Sequence, residues 1–126
     1  MRRTIVAAFA AALLGALPAL LPSLATAQGR QDFALVNRTG YQIDEVYIGP
    51  TSSTNWGRDI LGSNVLGNNQ VFNVRFGAAT SECLWDIKVV YNDGDTSEFR
   101  RVNLCQVSKV TMFWNRSAGT TRFTVE

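Results

Sequence analysis

The sequence predicts an all-β protein: a single small antiparallel β-sandwich of about seven short strands, Ig-like or C2-like, with a small closed barrel as the other packing. Three observations carry this. Beyond residue 27 the chain is rich in Val, Ile, Thr, Phe, Tyr and Trp and shows almost no helical apolar period. Turn signals built on Gly, Asn and Asp interrupt it at short intervals. Between those signals, several segments alternate between apolar and polar residues, the period of a half-buried strand.

Taken in order, residues 31–39 read as a first strand with Phe33 and Leu35 on one face, ended by Arg38-Thr39-Gly40. Residues 42–48 form a second, with Val46 and Ile48 on one side and Ile43 and Tyr47 on the other. A polar loop, GPTSSTN (49–55), leads into WGRDILG (56–62), and GNNQ (67–70) makes a turn. In residues 71–76, Phe72, Val74 and Phe76 point inward and Asn73 and Arg75 outward. Residues 83–91 carry the strongest pattern, with Cys83, Trp85, Ile87, Val89 and Tyr91 on one face and Asp86 and Lys88 on the other. Asn92-Asp93-Gly94-Asp95 is a tight hairpin turn, because Asp-Gly tolerates positive φ. The return strand, 96–105, slips phase between Phe99 and Val102, which predicts a bulge near Arg100-Arg101. Residues 109–115 and 121–125 supply the last two strands.

The N-terminal 27 residues read as a signal peptide and residues 28–126 as the β-sandwich domain. Arg2 and Arg3 precede an uncharged apolar run, Pro18 and Pro22 break it, and Ala25-Thr26-Ala27 is an A-x-A cleavage signature. The run is shorter than the roughly 20 apolar residues a membrane span needs. The paired arginines suit the twin-arginine route; Thr4-Ile5-Val6 is a poor version of that signal, so the general secretory route stands beside it. The expected location is the periplasm or the exterior. The chain has 12 Lys+Arg and 10 Asp+Glu, and losing Arg2 and Arg3 leaves ten of each. A neutral domain without basic runs lacks the electrostatic footprint of a nucleic-acid binder or a polybasic membrane-surface protein.

The two cysteines, Cys83 and Cys105, read as a disulfide in an exported chain. On the predicted strands it staples the end of the hairpin far from the turn, or ties it to a neighbouring loop. The chain has no histidine, so Ser-His-Asp and Cys-His catalysis and imidazole-based zinc sites have no basis. No phosphate-cradling glycine motif occurs. Among the acids, Asp44, Glu45, Asp59, Asp86, Asp93, Asp95 and Glu98 could supply a glycosidase-like pair, but most read as solvent-facing strand or turn residues. Residues 92–98 place oxygen ligands close together on a turn, which suits Ca²⁺, although an Asp-Gly turn explains the same residues. Of three tryptophans, Trp85 and Trp114 are in phase with core positions, and Trp56 is the candidate stacking platform for a ligand. The sequons at Asn37 and Asn115 are taken as coincidence in a bacterial protein.

Four stretches occur in a fixed order: F-x-L-V-N-R-T-G-Y-x-I-x-x-V-Y-I (33–48), W-G-x-D-I-L-G (56–62), C-x-W-D-I-K-V-V-Y-x-D-G-D (83–95) and V-N-L-C (102–105). Together they resemble a family of small exported bacterial proteins labelled as hypothetical or Tat-pathway signal proteins. The resemblance covers nearly all of the chain beyond the signal and implies a compact β-sandwich of unassigned function. Carried over by position, it also leaves Asp59, Asp86, Asp93 and Asp95 as candidate metal ligands for Ca²⁺ in a C2-like loop arrangement. The expected function is a monomeric binding or interaction module for a protein or envelope ligand, with no catalytic residue. The alternatives are a calcium-dependent or carbohydrate-binding module, and then an acid/base hydrolase. Asp59 focuses the choice: it faces either Asp93 and Asp95 or its own backbone.

Overall fold

A computed structural model describes residues 30–77 and 80–126. The expected signal peptide and its cleavage site lie outside the described residues. The fold is all-β, with seven strands: β1 (Phe33–Arg38), β2 (Ile43–Pro50), β3 (Val71–Val74), β4 (Leu84–Tyr91), β5 (Thr96–Asn103), β6 (Lys109–Asn115) and β7 (Thr120–Val125). They form two sheets, β3-β1-β6-β7 and β2-β4-β5. The four-plus-three division matches a constant-type Ig sandwich. One pairing does not: β1 and β6 run parallel, with Leu35 beside Val110, while every other strand pair is antiparallel.

The alternating positions meet between the sheets. Leu35, Val110 and Met112 from one sheet and Val46, Ile87 and Val89 from the other are fully buried. Burial of such side chains, at roughly 25 cal/mol per Å² of apolar surface, contributes most of the free energy that holds two sheets together. Phe99 and Phe123 close one flank, with ring centroids 4.6 Å apart. Phe76 packs on Trp85 at 4.8 Å. Phe99, Val102 and Leu104 are all buried, despite the phase slip between them.

Two irregularities explain where simple alternation fails. A register shift between Ile43 and Glu45 turns Ile43 onto the same buried face as Val46, which corrects its expected place on the side opposite Val46. Across β4 and β5, Trp85 pairs with Val102 and Ile87 with Phe99, so Arg100 and Arg101 together oppose Asp86. This is the bulge expected from the phase slip. Arg101 adopts φ 57°, a left-handed conformation uncommon for a long side chain.

The Cys83–Cys105 disulfide joins the open end of the β4–β5 hairpin, next to a Leu104 N–H donating to the Cys83 carbonyl at 2.8 Å. At the other end, the Gly94 N–H donates to Tyr91 O and the Tyr91 N–H to Asp95 O. The loop is thus three residues long, a type I turn followed by Gly94 at φ 92°. Positive φ is needed only at Gly94, which a three-residue loop supplies more cheaply than the two-residue turn expected from Asp-Gly.

Candidate functional site

The eight residues of β4 link two ends of the sandwich, and the residues singled out from sequence divide between them. Asp86 lies near the disulfide end. The Asp93–Asp95 turn lies beyond Tyr91 at the opposite end.

Asp86 is buried, at 3% exposure, not solvent-facing as the alternation of β4 predicts. The side chain does leave the outer face of the sheet, but the bulge and the 51–56 loop cover it. Its Oδ1 accepts the Thr51 hydroxyl at 2.7 Å and the Arg101 backbone N–H at 2.9 Å. Its Oδ2 accepts the Arg100 guanidinium at 2.8 Å. Burial pushes the carboxyl pKa up, but these three donors outweigh it and hold the group below the ordinary aspartate value. Arg100 also pairs with Glu98, and the two carboxylates raise its own pKa. Asp86 is therefore the residue that fixes the bulge and holds Arg101 in its unusual backbone conformation.

Trp56 sits above this arrangement and is half-buried. Lys88 Nζ lies 6.0 Å and Arg100 Cζ 5.8 Å from its ring centroid, and Lys88 also approaches Tyr47. The ring borders a small cavity of about 100 Å³ with Asn55, Asp86 and Arg100. The chain crosses closely here: a Cβ on Gly49 would meet the Asn55 carbonyl at 3.0 Å. A sugar stacking on Trp56 competes with cations that already occupy its surroundings.

Asp59 faces backbone. Its Oδ1 accepts the N–H of Val46 at 2.9 Å and of Leu61 at 3.0 Å. The Ile60 N–H returns to Val46 O at 2.8 Å, and Leu66 forms an antiparallel bridge to Ile43. The loop from Asp59 to Leu66 thus covers the open edge of β2, which an edge strand needs to avoid pairing with other chains. Leu61 is buried in the core and Ile60 packs against it. Gly57 and Gly62 take positive φ.

The four candidate calcium ligands are consequently not brought together. Asp59 is bound to β2 backbone, Asp86 to the bulge, and Asp93 and Asp95 lie on the far turn. Among the described residues, no three His, Cys, Asp or Glu side chains form a group able to hold a metal ion.

The Tyr91 end presents a different surface. Tyr41, Tyr91 and Trp114 meet there from the β1–β2 turn, β4 and β6. Their ring centroids are 6.4, 5.9 and 6.3 Å apart and their planes cross at 85°, 83° and 82°. Together with Asn92, Asp93 and Asp95 they line a cavity of about 150 Å³ between the ends of the two sheets. Strand phase places Trp114 in the core with Val110 and Met112; those two are fully buried, but Trp114 lies at the strand end and is half-buried.

Each wall is held. Tyr91 OH shares a 2.6 Å hydrogen bond with Thr121 Oγ1, which also accepts from Ser97 at 2.8 Å. Burial raises the Tyr91 pKa, partly offset by Thr121. Tyr41 is positioned through Asn37, which is fully buried. Asn37 Nδ2 donates to Tyr41 O at 2.8 Å and Leu66 O at 3.0 Å, and Asn37 Oδ1 accepts the Thr39 N–H and hydroxyl. A buried amide with all its groups paired specifies one loop geometry; it also leaves the Asn37 sequon inaccessible. On the turn, Asp93 Oδ1 accepts the Asp95 N–H at 2.9 Å, and neither carboxylate forms an ion pair among the described residues. Asp93 and Asp95 are exposed neighbours on one turn and do not flank a bond from opposite faces, as two-carboxylate hydrolysis requires.

Tyr41, Tyr91 and Trp114 are not legible as one site in the sequence. The available signal is that each aromatic adjoins a turn: Tyr41 follows Gly40, Tyr91 precedes the Asp-Gly turn, and Trp114 precedes the turn at 116–119. That these turns share one end depends on the β2–β4 pairing, which sets Ile43 beside Tyr91, and on the parallel β1–β6 pairing.

No protein-family model matches the chain, and no curated protein matches it. An NMR structure of a protein from Eubacterium rectale is similar, with a TM-score of 0.55 and 12% identity over 79% of this chain and 89% of that one. At that identity the likeness shows the β-sandwich architecture alone.

Proposed function

We propose that the chain is an exported, disulfide-stabilised binding module of the bacterial envelope, periplasmic or secreted, whose ligand site is the aromatic pocket at the Tyr91 end. The observation that carries this reading is the three-ring cavity between the ends of the two sheets. Thr121 holds the Tyr91 hydroxyl and Asn37 the Tyr41 backbone, and a concave site with aromatic walls and a few polar groups is the usual form of a small-ligand site. The disulfide fits an oxidising compartment, and among the described residues no helix is long and apolar enough to cross a membrane. Binding rather than turnover is the reading that the bordering groups support: two exposed carboxylates and three aromatics, without a nucleophile paired to a base.

Backbone amide spectra of the isotope-labelled protein, titrated with small envelope-derived compounds, test this. Shifts clustered at Tyr41, Tyr91, Asp93, Asp95 and Trp114 are expected. Shifts at Tyr47, Trp56, Lys88 and Arg100 instead would favour the carbohydrate-platform alternative. No response at either place to sugars, peptides, cations or phosphorylated compounds would overturn the reading.

A further inference from the structure

We propose that the Tyr91 end binds a phosphocholine-type zwitterion, with a trimethylammonium among Tyr41, Tyr91 and Trp114 and its phosphate on Arg38, Arg116 and Arg122. The proposal rests on the reading of this end as the ligand site and names the chemistry of the ligand.

Three nearly perpendicular ring planes about 6 Å apart stand as the walls at the corner of a box. Ring faces are negative, and a cation near them gains most when it sheds water easily. A methylated ammonium has no N–H to satisfy, so aromatic walls suit it better than a set of acceptors. Asp93 and Asp95 border the same cavity and supply opposite charge. Among the described residues, no basic side chain lines it. Its volume, about 150 Å³, lies below the roughly 300 Å³ at which drug-sized sites begin, and fits a head group rather than a whole ligand.

Tyr41 and Trp114 have a second depression beside them, lined by Arg38, Arg116 and Arg122 around Phe113. Strand register places these side by side: Arg38 pairs with Phe113 across the parallel β1–β6 junction, and Phe113 with Arg122 across β6–β7. The Arg122 guanidinium lies 4.5 Å from the Phe113 centroid, which limits its freedom before any ligand arrives. Among the described residues, no acidic side chain lines this depression. None of the three arginines forms an ion pair with a described residue; what sets them apart from other unpaired cations is that all three line one depression. Three guanidiniums gathered without a counter-ion suit a phosphate, whose oxygens match the planar fork of arginine. One acidic aromatic pocket and one arginine pocket thus share the Tyr41–Trp114 wall. A ligand with a cation and an anion joined by a short linker satisfies both; a lone cation or lone anion satisfies one.

Calorimetry on the secreted, oxidised protein tests this with phosphocholine, choline and inorganic phosphate as separate probes. Phosphocholine is expected to bind at least about tenfold more tightly than either fragment, because two charge contacts add within one ligand. Asp95→Asn and Arg116→Gln lie on exposed turns and are expected to retain the wild-type near-UV spectrum while each weakens phosphocholine about two- to fivefold. Phosphatidylcholine vesicles, with phosphatidylglycerol vesicles as control, identify the source. Sedimentation with the former alone points to a lipid head group, and phosphocholine binding without sedimentation points to a soluble or polymer-borne one. Phosphocholine binding no tighter than choline and phosphate, or unchanged in both folded variants, overturns the proposal. If another compound shifts the Tyr41–Trp114 amides while phosphocholine does not, the zwitterion falls and the binding-module reading stands. If nothing shifts them, both fall.

Discussion

At the Asp86 end of β4 the charges around the bulge are held together: Asp86 takes three donors, Arg100 bridges two carboxylates, and Lys88 and Arg100 lie against Trp56. At the Tyr91 end, Asp93, Asp95, Arg38, Arg116 and Arg122 carry charge that no ion pair among the described residues neutralises. The same strand therefore joins an end where a buried carboxylate holds the backbone in place to an end where the charged side chains face outward. Satisfied, buried polar groups contribute to stability; exposed, unpaired ones contribute little to it and remain available to a partner.

This contrast can be broken in order of expected effect. Removing the disulfide, by reduction or by replacing Cys83 and Cys105 with Ser, should produce the largest loss. The bridge closes a separation of 22 residues, which corresponds to about 3–4 kcal/mol in the chain-entropy treatment; urea unfolding with and without reductant measures it. Asp86→Asn should cost about 1–3 kcal/mol, since the charged acceptor of three hydrogen bonds is lost. Its pH signature is specific. The folded-state pKa of Asp86 is depressed, so its contribution is complete above the unfolded aspartate value of about 3.9 and is lost as pH falls through the lower folded value. Unfolding free energies at pH 7 and pH 3 should converge in Asp86→Asn more than in the parent; equal acid sensitivity would remove Asp86 as the cause.

Asp59→Ala comes next, at about 1–2 kcal/mol, because it leaves the Val46 and Leu61 amides without their acceptor. Hydrogen exchange at Val46 should accelerate in that variant if the loop cap on β2 is what protects it. The smallest effect belongs to the other end. Asp95→Asn and Arg116→Gln should change stability by no more than about 0.5 kcal/mol. A loss as large as that of Asp86→Asn would mean that the Tyr91 end is structural after all.

The strands are readable because each carries the two-residue period of a surface with one buried face. Even the bulge is readable: Phe99 and Val102 can both face inward only if an extra residue intervenes, and Arg100-Arg101 opposite Asp86 supplies it. The disulfide follows from chemistry, since a chain whose N-terminus reads as a signal peptide, with two cysteines and no histidine, has few other uses for them. Alternation fails where a side chain's fate depends on what passes over it. It assigns Asp86 to solvent because it reports which face a residue leaves from, not whether a loop beginning 35 positions away in sequence covers that face. It assigns Trp114 to the core because phase does not say where a strand end emerges. It sets Ile43 on the side opposite Val46 because a bulge at Asp44 leaves no trace in so short a pattern.

WGRDILG shows the division most clearly. From sequence alone, Asp59 faces either Asp93 and Asp95 or the backbone of a turn that two glycines allow; it bonds backbone. That the backbone belongs to β2 as well as to the turn, and that Trp56 lies over Lys88 and Arg100, are facts of the assembled sandwich. Local composition determines strands and turns because their energetics involve neighbours in the chain. The meeting of Tyr41, Tyr91 and Trp114, and the row of Arg38, Phe113 and Arg122 beside them, required tertiary structure. The pairing of β2 with β4 sets Ile43 beside Tyr91, and the parallel pairing of β1 with β6, between residues more than seventy positions apart, brings Trp114 and the arginine row to the same end of the molecule.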